Sequence, residues 1–231
     1  MSARPVRRRK LPEYSKEPKD AAKFTKTYDR FYSSIAAPYS FFSKIVPVYR
    51  RWLKESLPYI EGPRVLEISF GPGYLMTQYA GRFEVYGIDY NSRMVQVAGK
   101  NLKKAGLTAR LQQGNVENLP YEDAYFDTVL STMAFSGYPN ARKALSEMLR
   151  VLKPHGRLII EDANFPKDGN KRGTLMTRLI QRFGDIIRDM DELFDSFGVT
   201  YEDKEIGGWG SIHLYLVRKT VPPPGERTVQ L

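Results

Sequence analysis

The stretch RVLEISFGPGYL, residues 64–75, predicts a buried strand, a tight turn and the start of a helix. Arg64 to Ser69 is a short apolar run, and Gly71-Pro72-Gly73 follows it as a turn. Glycines at such a turn adopt backbone angles that other residues resist, and they let a ligand approach the main chain. Many tight strand–helix turns contain a single G-x-G, so this motif needs support from the rest of the chain.

The alternation of strand and helix continues beyond this stretch. Further strands are predicted over residues 83–88, 109–113, 126–133 and 156–161, with helices over 74–80, 92–105 and 141–152. Strands that alternate with helices favour a parallel sheet buried on both faces. Helices 175–187 and 190–197 follow, and then strands 199–206 and 212–218. Their short link, Gly207-Gly208-Trp209-Gly210, predicts an antiparallel pair.

Composition excludes several classes of protein. The 231 residues contain no cysteine, which excludes disulfides, cysteine-bound metals and thiol catalysis, and the only histidines are His155 and His213. No apolar run is long enough for a spanning helix, and the Arg-rich start lacks the apolar segment of a secretory signal. We therefore expect a cytoplasmic protein.

The formal charge of +10 is unevenly distributed. Residues 1–30 contain ten Lys and Arg against four Asp and Glu, so more than half of the net charge lies there. Residues 1–22 are polar and basic, and they predict a flexible arm. Aromatic helices are predicted over 24–36 and 38–57, with a break at Pro38 and a kink at Pro47.

An acid ends the second predicted strand. Asp89 lies 16 residues after Gly73, where such a side chain can accept hydrogen bonds from both hydroxyls of a ribose. It could instead cap the next helix, but Asn91 or Ser92 could serve as that cap. Met76 occupies the third glycine position of a dinucleotide motif, and the chain has no phosphate-binding G-x-x-x-x-G-K-[ST], which disfavours NAD, FAD and ATP.

Five motifs in order resemble the class I S-adenosylmethionine-dependent methyltransferases. They are Glu67–Gly73, Asp89, Gly114–Tyr121, Phe126–Ser131 and Leu149–Leu158. The resemblance covers about residues 24–219 and is strongest to the ubiquinone/menaquinone-biosynthesis and small-molecule (type 11) group. Two departures are Ser69, where the family has its first motif glycine, and Asn115, where the family has an acid near the adenine.

The resemblance implies a Rossmann-like α/β fold with a seven-stranded, mostly parallel sheet, an antiparallel C-terminal strand, helices on both faces and N-terminal helices. It implies S-adenosylmethionine as cofactor, S-adenosylhomocysteine as product, and no metal. Glu67 would face the cofactor's amino group, and Met94, Val116 and Leu119 would pack against the adenine. The cofactor-binding residues that it implies are Tyr39, Glu67, Ser69, Gly71, Gly73, Asp89, Tyr90, Met94, Asn115, Val116 and Ser131. Tyr28-Asp29 is an alternative to Tyr39.

The methyl group would move by SN2 displacement, for which positioning of the reactants supplies much of the rate. A general base is needed only if the acceptor loses a proton. Candidate bases are His213, Asp162, Glu161 and Tyr32, and none of them is assigned. The catalytic residue is therefore unknown at this point.

The resemblance implies that residues 23–220 form one domain. Residues 23–60 would be lid helices, 61–163 the cofactor half, and 164–220 the substrate-side helices and terminal hairpin, with 221–231 as a tail. An aromatic lid beside basic residues suits a small, hydrophobic, quinone- or lipid-like acceptor. The basic arm could contact an anionic membrane surface peripherally.

Two alternatives stay open at this point. An RNA methyltransferase would use the arm on phosphates, but the chain lacks an Asn/Asp-Pro-Pro-Tyr motif, so nucleic acid is disfavoured. A non-catalytic cofactor-binding scaffold would agree with the altered Ser69 and Asn115.

Overall fold

The computed structural model describes residues 12–30, 33–34 and 47–220, and in them a single seven-stranded sheet lies between helices. The strands are β1 (Arg64–Ile68), β2 (Glu84–Asp89), β3 (Arg110–Gln113), β4 (Phe126–Thr132), β5 (Leu152–Ala163), β6 (Val199–Gly207) and β7 (Ile212–Lys219). The helices are α1 (residues 21–30), α2 (Pro47–Lys54), α3 (Met76–Tyr79), α4 (Ser92–Lys104), α5 (Ala141–Val151), α6 (Lys171–Arg182) and α7 (Met190–Asp195).

The sheet has the order β3-β2-β1-β4-β5-β7-β6. Strands β1 to β5 are mutually parallel, and β7 lies antiparallel between β5 and β6. This confirms the predicted α/β fold with its antiparallel C-terminal strand. The chain builds outward from β1 to β3 and then returns to place β4 on the other side of β1. A crevice forms at such a reversal point, at the carboxyl ends of the strands.

Alternate residues of β1 enter two different cores. Leu66 and Ile68 pack on the face that α5 and α7 cover, and Val65 packs on the face that α3 and α4 cover. Because β1 is buried on both faces, its sequence is an almost continuous apolar run. Packing on both faces holds β1 in the middle of the sheet, so its carboxyl end lies at the centre of the crevice.

Some element boundaries differ from the prediction. Helix α6 begins at Lys171, four residues before the predicted start, because the Asn170 side chain accepts hydrogen bonds from the backbone N–H groups of Arg172 and Gly173. It ends at Arg182, where the prediction continued to residue 187, because Gly184 adopts a φ of +110°. Strand β5 begins at Leu152, before the predicted start at residue 156.

The segment before α1 is docked, which corrects the prediction of a flexible arm as far as residues 12–17 are concerned. The Ser15 backbone N–H donates to the Ile187 carbonyl at 2.7 Å, and the Ile187 N–H donates to Ser15 Oγ at 3.0 Å. Glu17 forms an ion pair with the buried Arg188 at 3.6 Å. These contacts span more than 170 residues, so the local composition could not indicate them. Residues 1–11 and 221–231 lie outside the described residues.

Asn91 joins α1 to the start of α4. Its Oδ1 accepts a hydrogen bond from the Met94 backbone N–H, which makes Asn91 the N-cap of α4. Its Nδ2 donates to Asp29 Oδ1 at 2.8 Å and to Ser33 Oγ at 2.7 Å. One amide side chain therefore caps one helix and holds another, and Asp89 is not needed as the cap.

We predict that Asn91→Asp separates these two roles. A carboxylate still caps α4, but it cannot donate to Asp29 and it repels that residue's carboxylate. Amide hydrogen exchange should therefore accelerate in residues 21–30 while α4 stays protected. Asn91→Ala should accelerate exchange in both helices, since a lost N-cap costs about 1 kcal/mol. Unchanged exchange at residues 21–30 in Asn91→Asp would contradict this role.

Candidate functional site

A cavity opens across the carboxyl ends of β3, β2, β1 and β4, in that spatial order. Its empty volume, including the open mouth, is about 1230 Å³. Residues 114–116 line it after β3, 88–91 after β2, 67–72 after β1, and 132–134 after β4. Thr25, Tyr28 and Asp29 of α1 and Tyr49 and Leu53 of α2 also contribute to the wall. The site thus lies at the reversal point of the sheet, where α/β folds bind ligands.

Asp89 lies at the end of β2 and is nearly buried. Its Oδ2 accepts a hydrogen bond from the Gly71 backbone N–H at 2.9 Å, and its Oδ1 accepts one from the Asn91 N–H at 2.9 Å. Burial raises the pKa of Asp89 to about 6, although both backbone hydrogen bonds oppose the shift. The carboxyl group therefore holds the glycine turn in place and also presents itself to the cavity.

Glu67 lies near the end of β1 and is 1% exposed. The Tyr79 hydroxyl donates to its Oε2 at 2.6 Å. Burial raises the pKa of Glu67 to about 8; the Tyr79 hydrogen bond opposes this shift, and the nearby Asp89 carboxylate adds to it. A cation in the cavity would favour the ionised form of Glu67.

The charge of the cavity wall is opposite to that of the whole chain. The described lining residues include four carboxyl groups, from Asp29, Glu67, Asp89 and Asp185, and no Lys, Arg or His. Burial raises the pKa of Asp185 as well. In a chain of net charge +10, a wall of this composition favours a ligand that carries positive charge over one that carries phosphates.

Ser69 and Tyr138 form the floor of the cavity beneath the glycine turn. Ser69 has a φ of +53°, in the left-handed region that favours glycine. The Tyr138 hydroxyl is 3.0 Å from Ser69 Oγ and 2.9 Å from Ser131 Oγ. The serine thus keeps the backbone conformation of a glycine and adds a hydrogen bond to Tyr138.

The structure brings most of the predicted cofactor-binding residues to the cavity wall. These are Glu67, Ser69, Gly71, Asp89, Tyr90, Met94, Asn115 and Val116. Tyr39 lies outside the described residues. Tyr28 and Asp29, the alternative to Tyr39, do line the cavity.

Three predicted contacts are absent from the described wall. Gly73 has a φ of +72° and faces α4, where a Cβ would lie 2.9 Å from that of Ala98, so it serves helix packing. Ser131 is buried behind Tyr138. Leu119 belongs to the core on the α5 side of the sheet. A motif match alone does not indicate which of its residues face the ligand.

None of the candidate bases lies in the described wall. His213 is buried, with its Nδ1 2.8 Å from Asp203 Oδ1. Asp162 accepts hydrogen bonds from the backbone N–H groups of Ser136 and Ala163, so it holds the loop after β4. Glu161 is fully buried, and burial raises its pKa to about 8. Tyr32 lies outside the described residues.

Sequence reasoning missed other residues of the wall. Tyr138 and Asp185 reach the cavity from loops that follow β4 and α6, and Tyr49, Leu53 and Met133 supply apolar surface. Loops of this kind carry no motif that would have indicated them. Among the described residues, we find no cluster of three groups that could hold a metal ion and no helix able to cross a membrane.

Comparisons with known proteins agree with this geometry. Residues 66–160 match the model of a methyltransferase domain. The chain is 32% identical over 113 residues to the uncharacterized methyltransferase YdaC of Bacillus subtilis, covering 48% of this chain and 61% of YdaC. It is 31% identical over 146 residues to the ubiquinone/menaquinone biosynthesis C-methyltransferase UbiE of Francisella philomiragia, covering 58% of each chain. The matches therefore span less than two thirds of these relatives.

A solved structure supports the fold. The crystal structure of YcgJ from Bacillus subtilis superimposes with a TM-score of 0.61 at 20% identity, covering 74% of this chain and all of YcgJ. At that identity the likeness concerns the fold alone. The domain match and the motif from Glu67 to Gly73 show that residues 66–160 of this chain carry a methyltransferase domain, and the observed fold agrees with that match.

Proposed function

We propose that this protein transfers a methyl group from S-adenosylmethionine to a small, hydrophobic, quinone- or lipid-like acceptor. The observation that carries the proposal is the cavity wall with four carboxyl groups and no cationic side chain among its described residues. S-adenosylmethionine supplies a methyl group on a positively charged sulfonium, and it also carries an ammonium group. The charge of the wall matches this cofactor and opposes phosphate-bearing ones.

The residues of the wall suit distinct parts of this cofactor. Asp89 would accept the ribose hydroxyls, and Glu67 would accept the ammonium group. Gly71, with a φ of +52°, leaves the main chain open to the methionine portion. Met94 and Val116 would pack against the adenine ring.

The acceptor would bind on the β4 side of the cavity. Tyr49 and Leu53 of α2, together with Met133 after β4, give this part of the wall an apolar surface. UbiE, to which the chain is similar, is named as a methyltransferase of quinone biosynthesis. Since no candidate base lies in the described wall, these residues would act by orienting the acceptor and excluding water.

We predict that Asp89→Asn weakens S-adenosylmethionine binding about 10- to 100-fold. The reason is the loss of charge-assisted hydrogen bonds, each worth about 1.5–3 kcal/mol. Calorimetric titration of the folded variant at pH 7 checks this. Asp195→Asn is the matched control, because that carboxylate is exposed at the end of α7 and should leave affinity unchanged. A dissociation constant within about twofold of the parent value would count against the ribose role.

We predict that cofactor binding releases a proton from Glu67. The pKa of about 8 leaves Glu67 mostly protonated at pH 7, and a bound ammonium group favours its ionised form, so affinity should rise with pH up to about 8. Calorimetry in buffers of different ionisation enthalpy measures the release. Glu67→Gln should bind more weakly and release much less proton at pH 7, since Asp89, with a pKa of about 6, contributes only a small fraction. Equal release from parent and variant would show that the proton comes from another group.

The acceptor class is tested with methyl-labelled cofactor. Incubation with quinone precursors, with lipid extracts and with RNA, followed by mass spectrometry, should place the label in a small apolar molecule. Label in RNA would contradict the acceptor class. Cofactor binding without labelling of any acceptor would favour the scaffold alternative.

A further inference from the structure

Helix α6 exposes an apolar stripe to solvent. Leu175, Leu179 and Phe183 are 60%, 48% and 85% exposed. They lie four residues apart, so they line up along one side of the helix and its last turn. Large apolar side chains are rarely left together on a surface without a partner.

Basic side chains border this stripe. Lys171, Arg172, Arg178 and Arg182 are all exposed on the same helix, which contains no acidic residue. Among the ion pairs between described residues, none includes any of these four side chains. An exposed helix that combines apolar and unpaired basic residues matches the chemistry of an anionic lipid surface.

An exposed tryptophan lies beside this helix. Trp209, in the link between β6 and β7, is 59% exposed and has a φ of +55°. The link packs against α6: a Cβ on Gly173 would lie 2.3 Å from the Trp209 carbonyl oxygen, and one on Gly208 would lie 3.2 Å from Met176 Sδ. Tryptophan is enriched where proteins meet the interface of a bilayer, since its ring is apolar and its N–H is polar.

The same surface adjoins the cavity. Phe183 at the end of α6 is followed by Gly184, which faces the Tyr28 ring, and then by Asp185; Tyr28 and Asp185 both line the cavity. A bilayer in contact with Phe183 would therefore lie near the wall of the cavity.

We propose that the exposed face of α6, together with Trp209, docks this protein on a membrane that contains anionic lipids. The apolar stripe enters the interface, and the four basic residues contact the headgroups. This surface adjoins the cavity, but neither α6 nor Trp209 contributes to the described cavity wall. It would give the acceptor of the proposed function a short path from the bilayer to the cavity.

The test is sedimentation of the full chain with vesicles of phosphatidylcholine, with and without phosphatidylglycerol. We expect binding only to vesicles with phosphatidylglycerol, weakened by salt. Leu179→Ser/Phe183→Ser should reduce partitioning by about tenfold or more, because two large apolar side chains are lost. Arg178→Gln/Arg182→Gln should reduce it by about fivefold per charge.

A matched control removes the same charge elsewhere. Lys103→Gln/Lys104→Gln acts at the exposed end of α4, which packs against β2 and β3, and should leave partitioning near the parent value. In the variant Trp52→Phe, the fluorescence of Trp209 should shift to the blue on adding vesicles. Trp209 is then the only tryptophan in the chain.

Several results would overturn the proposal. These are no vesicle binding by the parent protein, equal binding by parent and α6 variants, or loss of binding only when Arg7, Arg8, Arg9 and Lys10 of the basic arm are changed to Gln. Self-association that the α6 variants abolish would assign the stripe to a second copy of the chain. Calorimetry with S-adenosylmethionine on the same samples shows separately whether the cofactor site is intact.

Discussion

The end of the parallel sheet forces buried carboxyl groups to lie close together, and the rest of the site depends on this constraint. Glu67 lies one residue before the end of β1, Asp89 ends the adjacent strand β2, and each is almost removed from water. The Asp89 carboxylate contributes to the raised pKa of Glu67, after the larger effect of burial. Such a pair is costly in an empty site and becomes favourable when a cation is bound. The two carboxyl groups at the end of the sheet therefore favour the binding of a cation.

Hydrogen bonds connect this pair to the parts of the site that surround it. Asp89 holds the Gly71 N–H and the Asn91 N–H, and Asn91 in turn holds Asp29 on α1. The glycine turn, the start of α4 and the first helix are thus linked to one carboxylate. Helix α1 also lines the cavity. A ligand bound at Asp89 would therefore stabilise both the glycine turn and α1.

Local patterns predicted the central half of the fold well. The run from Arg64 to Ile68, the turn after it and the acid at the end of β2 are all adjacent in sequence to what they determine. The docking of Ser15 on Ile187 and the start of α6 at Lys171, after its N-cap Asn170, were not predicted. The first depends on backbone groups of the loop between α6 and α7, far away in the sequence, and the second depends on a single side chain that caps a helix.

The same distinction applies to the site. Motifs identified Glu67 and Asp89, whose positions follow from the strands that carry them. They also indicated Gly73, which packs against Ala98 of α4, and Ser131, which is hydrogen-bonded to Tyr138, because a pattern of residue types does not record which residues face the cavity. Asp185 and Tyr138 reach the cavity only through the tertiary fold, and no spacing in the sequence could indicate them.

Acidic and basic residues lie in different parts of this basic chain. Four carboxyl groups line the cavity, and four exposed basic side chains lie on α6. Ten of the 36 Lys and Arg residues belong to the first 30 positions of the sequence. We propose that the cavity selects an adenosine ligand by its positive charge. The direct measurement is calorimetric titration of the full chain at pH 7 with S-adenosylmethionine and, separately, with ATP, which shares the adenosine but is anionic. We predict saturable binding of S-adenosylmethionine and no binding of ATP, whereas binding of ATP with equal affinity, or no binding of S-adenosylmethionine at high concentration, would contradict the account.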